Sequence, residues 1–127
     1  MCHICLRSHG DRPALFCGDT LFNAGAGNCH NGGDPHALYA TFAGQLARLP
    51  DATRIFVGHD YPEGRAAQSV ATVAAQKAAN IRVHDGITRD AFVTKRRQDD
   101  QNKPVPKLLL PSLQVNLRAG NLGAPVA

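Results

Sequence analysis

Leu15-Phe16-Cys17-Gly18-Asp19 and Ile55-Phe56-Val57-Gly58-His59 repeat one pattern: a short apolar run, a glycine, then a side chain able to ligate a metal. Each run suits a short buried strand, and the glycine lets the backbone turn sharply where the strand stops. The next side chain is then presented at the rim of a sheet, where layered α/β proteins gather their ligand sites. Upstream, residues 3–7 alternate and are followed by Ser8-His9-Gly10-Asp11-Arg12-Pro13, which gives strand, turn and strand together with the run at 14–17. Between the two repeats, residues 18–33 hold Gly18, Gly25, Gly27, Gly32 and Gly33 around the apolar Leu21-Phe22, the composition of an ordered functional loop. Asp34 then supplies an N-cap and Pro35 the first helical position. Leu38, Phe42, Leu46 and Leu49 follow at helical spacing, until Pro50-Asp51 stops the helix.

Beyond His59, residues 58–62 form a loop and residues 63 to about 80 are Ala-rich, which predicts a surface helix covering one face of the sheet. Thr88 opens another helix through Ala91, Phe92 and Lys95, ended before Pro104 and Pro106, and residues 108–111 begin an extended tail. The Gly-, Ala- and Pro-containing last residues are expected to be loose.

Composition narrows the function class. At 127 residues the chain has room for one domain, and with 43% hydrophobic and 19% charged residues it is of ordinary globular make-up. No apolar stretch approaches the roughly 20 residues that cross a bilayer, and the first dozen residues carry no export signal, so no membrane partner is expected. Four cysteines without such a signal read as thiols in a cytoplasmic setting. The net charge of +4 gathers around Lys95, Arg96, Arg97, Lys103 and Lys107, where Asp99 and Asp100 interrupt it. With Phe92 alone near that cluster, a solvated helix face is the reading, and no nucleic-acid partner is expected.

Gly18-Asp19-Thr20-Leu21-Phe22-Asn23-Ala24-Gly25-Ala26-Gly27-Asn28, followed after one helix by Arg54-Ile55-Phe56-Val57-Gly58-His59-Asp60-Tyr61, closely resembles the glyoxalase II (hydroxyacylglutathione hydrolase) branch of the metallo-β-lactamase superfamily. The resemblance runs from about His3 to Tyr61. It implies the carboxy-terminal part of an αβ/βα sandwich, an α/β fold lacking its first half. It also implies one partial domain, with a metal-site half-sheet and helix over 1–62 and a helical or extended segment over 63–127. Asp19 corresponds to the aspartate that bridges two zinc ions, and is the candidate catalytic residue. His59 corresponds to a terminal ligand and Tyr61 to a glutathione contact, so a glutathione conjugate is the implied small-molecule substrate.

These residue types suit that chemistry: a carboxylate can span two cations that would otherwise repel, and a neutral imidazole leaves a metal Lewis-acidic. Water on such a metal ionises near pH ~7 and attacks a thioester carbonyl without a protein nucleophile.

Departures from the pattern carry information too. The family's His-x-His-x-Asp-His motif does not occur in these residues, and its Thr-Pro-x-His-Thr histidine would precede Met1. Two of the usual seven ligands remain, below the three protein ligands of a catalytic zinc. The chain by itself is therefore expected to bind metal weakly, to lack hydrolytic activity, and to depend on a partner supplying the amino-terminal half. His3 corresponds to a second histidine shortly after the family's metal-binding one and is read as structural because it begins a strand, and Cys2-x-x-Cys5 has no second pair to build a zinc ribbon. The family's glutathione-contacting Lys and Tyr of the glycine loop are Asn28 and His30 here, and its Arg-Arg-x-Lys stretch matches Arg96-Arg97 but has Asp99 at the lysine.

The tail, Leu110-Pro111-Ser112-Leu113-Gln114-Val115-Asn116-Leu117-Arg118-Ala119-Gly120, is similar to that of persulfide dioxygenases, a branch using one iron, in which an Asn-x-Arg-x-Gly segment occurs. That makes Arg118 a further candidate substrate contact and iron the alternative cofactor. Another thioesterase of the superfamily is a further alternative. A reading of another class is a non-catalytic anion-binding module using the basic segment, whose binding would be salt-sensitive.

Overall fold

The computed structural model describes residues 4–6 and 13–121 of the chain. The expectations for Cys2, His3 and the last residues lie outside these, as does the Cys5 side chain. Strands β1 (Ile4–Leu6), β2 (Ala14–Gly18), β5 (Arg54–Val57) and β6 (Val70–Thr72) form a mixed sheet in the order β1-β2-β5-β6. The short hairpin of β3 (Leu21–Phe22) and β4 (Gly25–Ala26) stands apart from it. β2 and β5 run parallel, and β1 and β6 flank them antiparallel.

Both repeats form the strands expected of them, and these are sheet neighbours. Their register slips after Phe16↔Phe56, so that Gly18 rather than Cys17 faces Val57. Cys17 is the extra residue. Its thiol is buried, lies 3.5 Å from Phe56 O and 3.4 Å from Leu21 O, and fills the irregularity.

The crossover from β2 to β5 contains α1 (Pro35–Gly44) and a 3₁₀ turn at Leu46–Arg48. Asp34 caps α1 as expected, its carboxylate accepting from His36 N at 2.9 Å. Leu38, Phe42 and Leu46 pack with Leu15, Cys17 and Ile55 from the sheet and with Phe92 and Val93 of α3 (Arg89–Asp100), the Phe42 and Phe92 rings meeting at 5.8 Å. Thr88 caps α3 through Ala91 N. The opposite side of the sheet is much barer: Phe16 is 44% exposed and stacks on Phe56 at 4.8 Å between centroids.

Three sequence expectations are corrected. The helix expected to reach Pro50 ends at Gly44, whose low helix propensity lets the chain tighten into the 3₁₀ turn that carries Leu46. The helix expected from 63 to about 80 is only α2 (Val73–Ala79), preceded by a loop and by β6. Gly64 adopts a positive φ of 68°, Asp60 ties the loop back on itself, and Val70-Ala71-Thr72 pairs with β5 instead. High alanine content gives way here to the pairing that an unpartnered β5 edge offers. The tail is also not extended, because α4 spans Leu109–Leu117. Pro111 falls in its first turn, where a missing backbone N–H costs no helical hydrogen bond. Within the glycine-containing loop the structure adds the β3–β4 hairpin, which the glycine count concealed.

Candidate metal centre at the ends of two parallel strands

The Asp19 and His59 loops leave β2 and β5 at their carboxyl ends, side by side. Gly58 N donates to Gly18 O at 3.1 Å, which fastens the two exits together. A Cβ on Gly58 would sit 2.9 Å from Asp19 Oδ1 and 3.0 Å from Gly18 C, so only glycine allows this approach. Gly27 is needed for the same reason, since a Cβ there would lie 1.9 Å from Asp19 O.

The result is a close pair: His59 Nε2 lies 3.2 Å from Asp19 Oδ1, with side chains 56% and 63% exposed. Donor atoms bound at about 2.0–2.1 Å to one tetrahedral ion stand about 3.4 Å apart, so this imidazole–carboxylate spacing fits two ligands of a single metal. Among the described residues no group of three or more His, Cys, Asp or Glu side chains gathers, so the pair by itself is an incomplete site open to further ligands.

Aromatic rings line the same rim. Tyr61 is 65% exposed; its ring lies 5.5 Å from Phe22 and 6.1 Å from His59, and Phe22 meets His59 at 6.0 Å. Tyr61 therefore joins Asp19 and His59.

The other candidate residues are dispersed. Asn28 is exposed on the loop and lines a small recess with Thr20 and Cys29. His30 and Arg97 border an open groove of about 830 Å³ between that loop and α3. Tyr61 faces a different groove of about 670 Å³, bordered by Arg65, Arg82 and Lys103. Arg96 is buried at 6% exposure and bonded to both carboxylate oxygens of Asp100, at 2.8 and 3.0 Å, so its guanidinium is committed within the fold. Arg118 is exposed and caps α4. Gly120, at φ 90°, donates back to Val115 O, which gives the Asn116–Gly120 segment a helix-ending role. The basic cluster is also largely internal in its pairing, with Lys95 and Arg82 on Asp99 and Lys103 3.8 Å from Asp100.

Sequence reading missed the residues behind His59. Asp60 receives both terminal nitrogens of Arg65 and the Gln68 amide at 2.8 Å, and these hold its carboxyl well below the usual carboxylate range. Asn23, in the hairpin turn, donates to Gln68 O at 2.7 Å and accepts from Gln76. Asn80, 1% exposed, donates to Gly25 O at 2.9 Å and to Gln76 at 2.6 Å. A run of Asn and Gln on separate elements carries no spacing signal, which is why the sequence did not mark it. Burial pushes the thiols of Cys17 and Cys29 up, the latter aided by nearby Asp100.

No family model matches the chain. It is 52% identical over 121 residues to a hydroxyacylglutathione hydrolase of Polaromonas sp., covering 93% of this chain and 46% of that one. In structure it superposes on ETHE1 from Myxococcus xanthus with a TM-score of 0.68 and 33% identity, over 85% of this chain and 45% of the other. A metallo-β-lactamase from Staphylococcus aureus shares the fold at TM-score 0.65 and 21% identity, covering 98% of this chain and 38% of its own. The chain thus spans less than half the length of the relatives it matches.

Proposed function

Starting from a chain whose sequence and fold align it with the metallo-β-lactamase superfamily, beside the hydroxyacylglutathione hydrolases, we propose that it carries part of a metal-dependent thioester-hydrolase site. The observation that supports this reading is the 3.2 Å approach of His59 Nε2 to Asp19 Oδ1 at the ends of adjacent parallel strands. In the proposal Asp19 and His59 hold zinc, and Tyr61 faces the glutathione end of the substrate. The metal, when bound, supplies a Lewis acid and a water acidic enough to attack at neutral pH. Asp19 and His59 orient that chemistry, and the Phe22–Tyr61 rim shields one side of it from solvent. The remaining ligands come from outside the residues described, so the isolated chain binds zinc weakly and does not turn over substrate. Unpaired thiols at Cys17 and Cys29 fit a cytoplasmic setting.

A graft tests this. The matching stretch of the Polaromonas relative is replaced by this chain, and S-lactoylglutathione hydrolysis is measured with and without zinc. The graft should hydrolyse the thioester, and Asp19→Ala should lower the rate at least about 100-fold, because losing a ligand exceeds the 10- to 100-fold cost of losing an outer-shell partner. Turnover unchanged by Asp19→Ala would remove the assignment.

The second reading, a persulfide dioxygenase using iron, is favoured by the Asn116-x-Arg118-x-Gly120 tail. It predicts persulfide-dependent oxygen uptake by the same graft, lost in Arg118→Ala.

A further inference from the structure

The loop from His59 to β6 is closed by one side chain. Asp60 accepts from both terminal nitrogens of Arg65, at 3.0 Å for Nη1, and from Gln68 N at 2.8 Å, which bends residues 60–68 back on themselves. Arg65 is fixed in turn by donating to Ala66 O at 3.0 Å. Both partners are sheltered, with side chains 13% and 29% exposed for Asp60 and Arg65. The closed loop does not stand alone, because Gln68 O receives the Asn23 amide at 2.7 Å, and Asn23 turns the hairpin whose first strand ends in Phe22. Asn23 is 6% exposed and held from behind by Gln76. One chain of hydrogen bonds therefore joins the backbone next to His59 to the backbone that follows Asp19.

Geometry makes the coupling specific. His59 and Tyr61 flank Asp60 in sequence, and both rings lie within about 6 Å of Phe22, at 6.0 and 5.5 Å. Asp19 and His59 are themselves more than half exposed, so little packing holds either side chain where it is. Their relative placement must come from the backbone behind them. Paired, bidentate hydrogen bonds to a carboxylate fix direction as well as distance.

We propose that Asp60, clamped by Arg65 and the Gln68 amide and linked through Gln68 to Asn23, is a positioning residue that holds His59 and Tyr61 in register with the Asp19 loop. It touches neither metal nor substrate. The role rests on the reading of Asp19 and His59 as ligands, but the geometry it maintains is measurable without any metal.

The experiment uses the full chain in the apo form. Nuclear Overhauser contacts from the Phe22 ring to the Tyr61 and His59 rings are recorded, with amide exchange at residues 58–61, for wild type, Asp60→Asn, Arg65→Lys and Lys77→Met. Asn offers one acceptor where three donors converge, Lys cannot engage two oxygens in a fork, and Lys77→Met breaks an ion pair with Asp51 away from the loop. The expected result is loss of the ring contacts and at least about tenfold faster exchange in Asp60→Asn and Arg65→Lys, with Lys77→Met like wild type. Contacts retained in both loop variants, or lost equally in Lys77→Met, overturn the proposal. Should Asp60→Asn not fold, Arg65→Lys decides the question, since it keeps the charge.

A zinc titration of the same samples, followed at the imidazole signals, and the activity of the graft together separate the two readings. Zinc affinity about tenfold weaker in the folded loop variants supports the clamp acting on the ligand pair. Apo ring contacts that behave as expected, with hydrolysis by the graft unchanged in Asp19→Ala, overturn the metal-site reading while leaving the clamp in place.

Discussion

At the scale of single residues, the site is defined as much by what is missing as by what is present. Gly27 and Gly58 lack the atom that would collide with the Asp19 backbone and carboxylate, whereas Gly44 at the end of α1 has nothing within 4 Å of its would-be Cβ. These positions should respond with opposite signs. Gly27→Ala is expected to cost about 3 kcal/mol or more, because backbone has to move, and Gly44→Ala to add about 0.5 kcal/mol by restricting the unfolded chain. Urea denaturation of the two variants checks both, and equal effects would mean that the close approach at Gly27 is not tight. The residues most legible in the sequence were of the same kind: Gly18-Asp19 and Gly58-His59 announce themselves by a breaker followed by a side chain able to ligate a metal. Asp60 does not. Its role depends on Arg65 and Gln68, whose spacing matches no repeating period and only becomes meaningful once the loop folds back.

At the scale of elements, capping and periodicity were readable and competition between structures was not. Asp34-Pro35 and Thr88 mark α1 and α3 because each cap acts within a few residues of itself. The alanine-containing segment after Glu63 is helical by propensity, yet part of it becomes β6 because β5 offers an open edge, information held elsewhere in the chain. α4 is a different case, a helix with little tertiary support and a sequence, LLPSLQVNL, of modest helix propensity. None of its residues is buried, and Leu110, Leu113 and Leu117 are exposed. Isolated helices shorter than about 12–15 residues are marginal in water. Hydrogen exchange should therefore find α4 far less protected than α3, where Phe92 and Val93 are buried. Equal protection in the two helices would show that α4 is covered in solution.

At the scale of the whole molecule, the sheet is dressed on one side. Leu15, Cys17 and Ile55 meet the helices, and Phe16 with Phe56 faces outward as a stacked pair. The solved relatives extend well beyond the part matched here. Exposed apolar surface of this kind promotes association. Phe16→Ser should reduce self-association, seen by sedimentation, while lowering the unfolding free energy by about 1–2 kcal/mol, less than the roughly 3–5 kcal/mol of emptying a fully buried Phe site, since its ring is already partly in water. A monomeric wild type at high concentration, or a large loss of stability in the variant, would contradict this.

The parallel pairing of β2 with β5 has a consequence in time as well as in space. Cys17 and Phe56, which meet at the slipped register, are 39 residues apart in the chain. The β1–β2 and β3–β4 hairpins join neighbours and can close early, but the crossover must bear its loop entropy before any contact rewards it. Asp19 and His59 are brought together by that closure and by nothing earlier. A nascent or partly melted chain therefore holds the two side chains apart, and their 3.2 Å pairing arises in the same late event that completes the sheet.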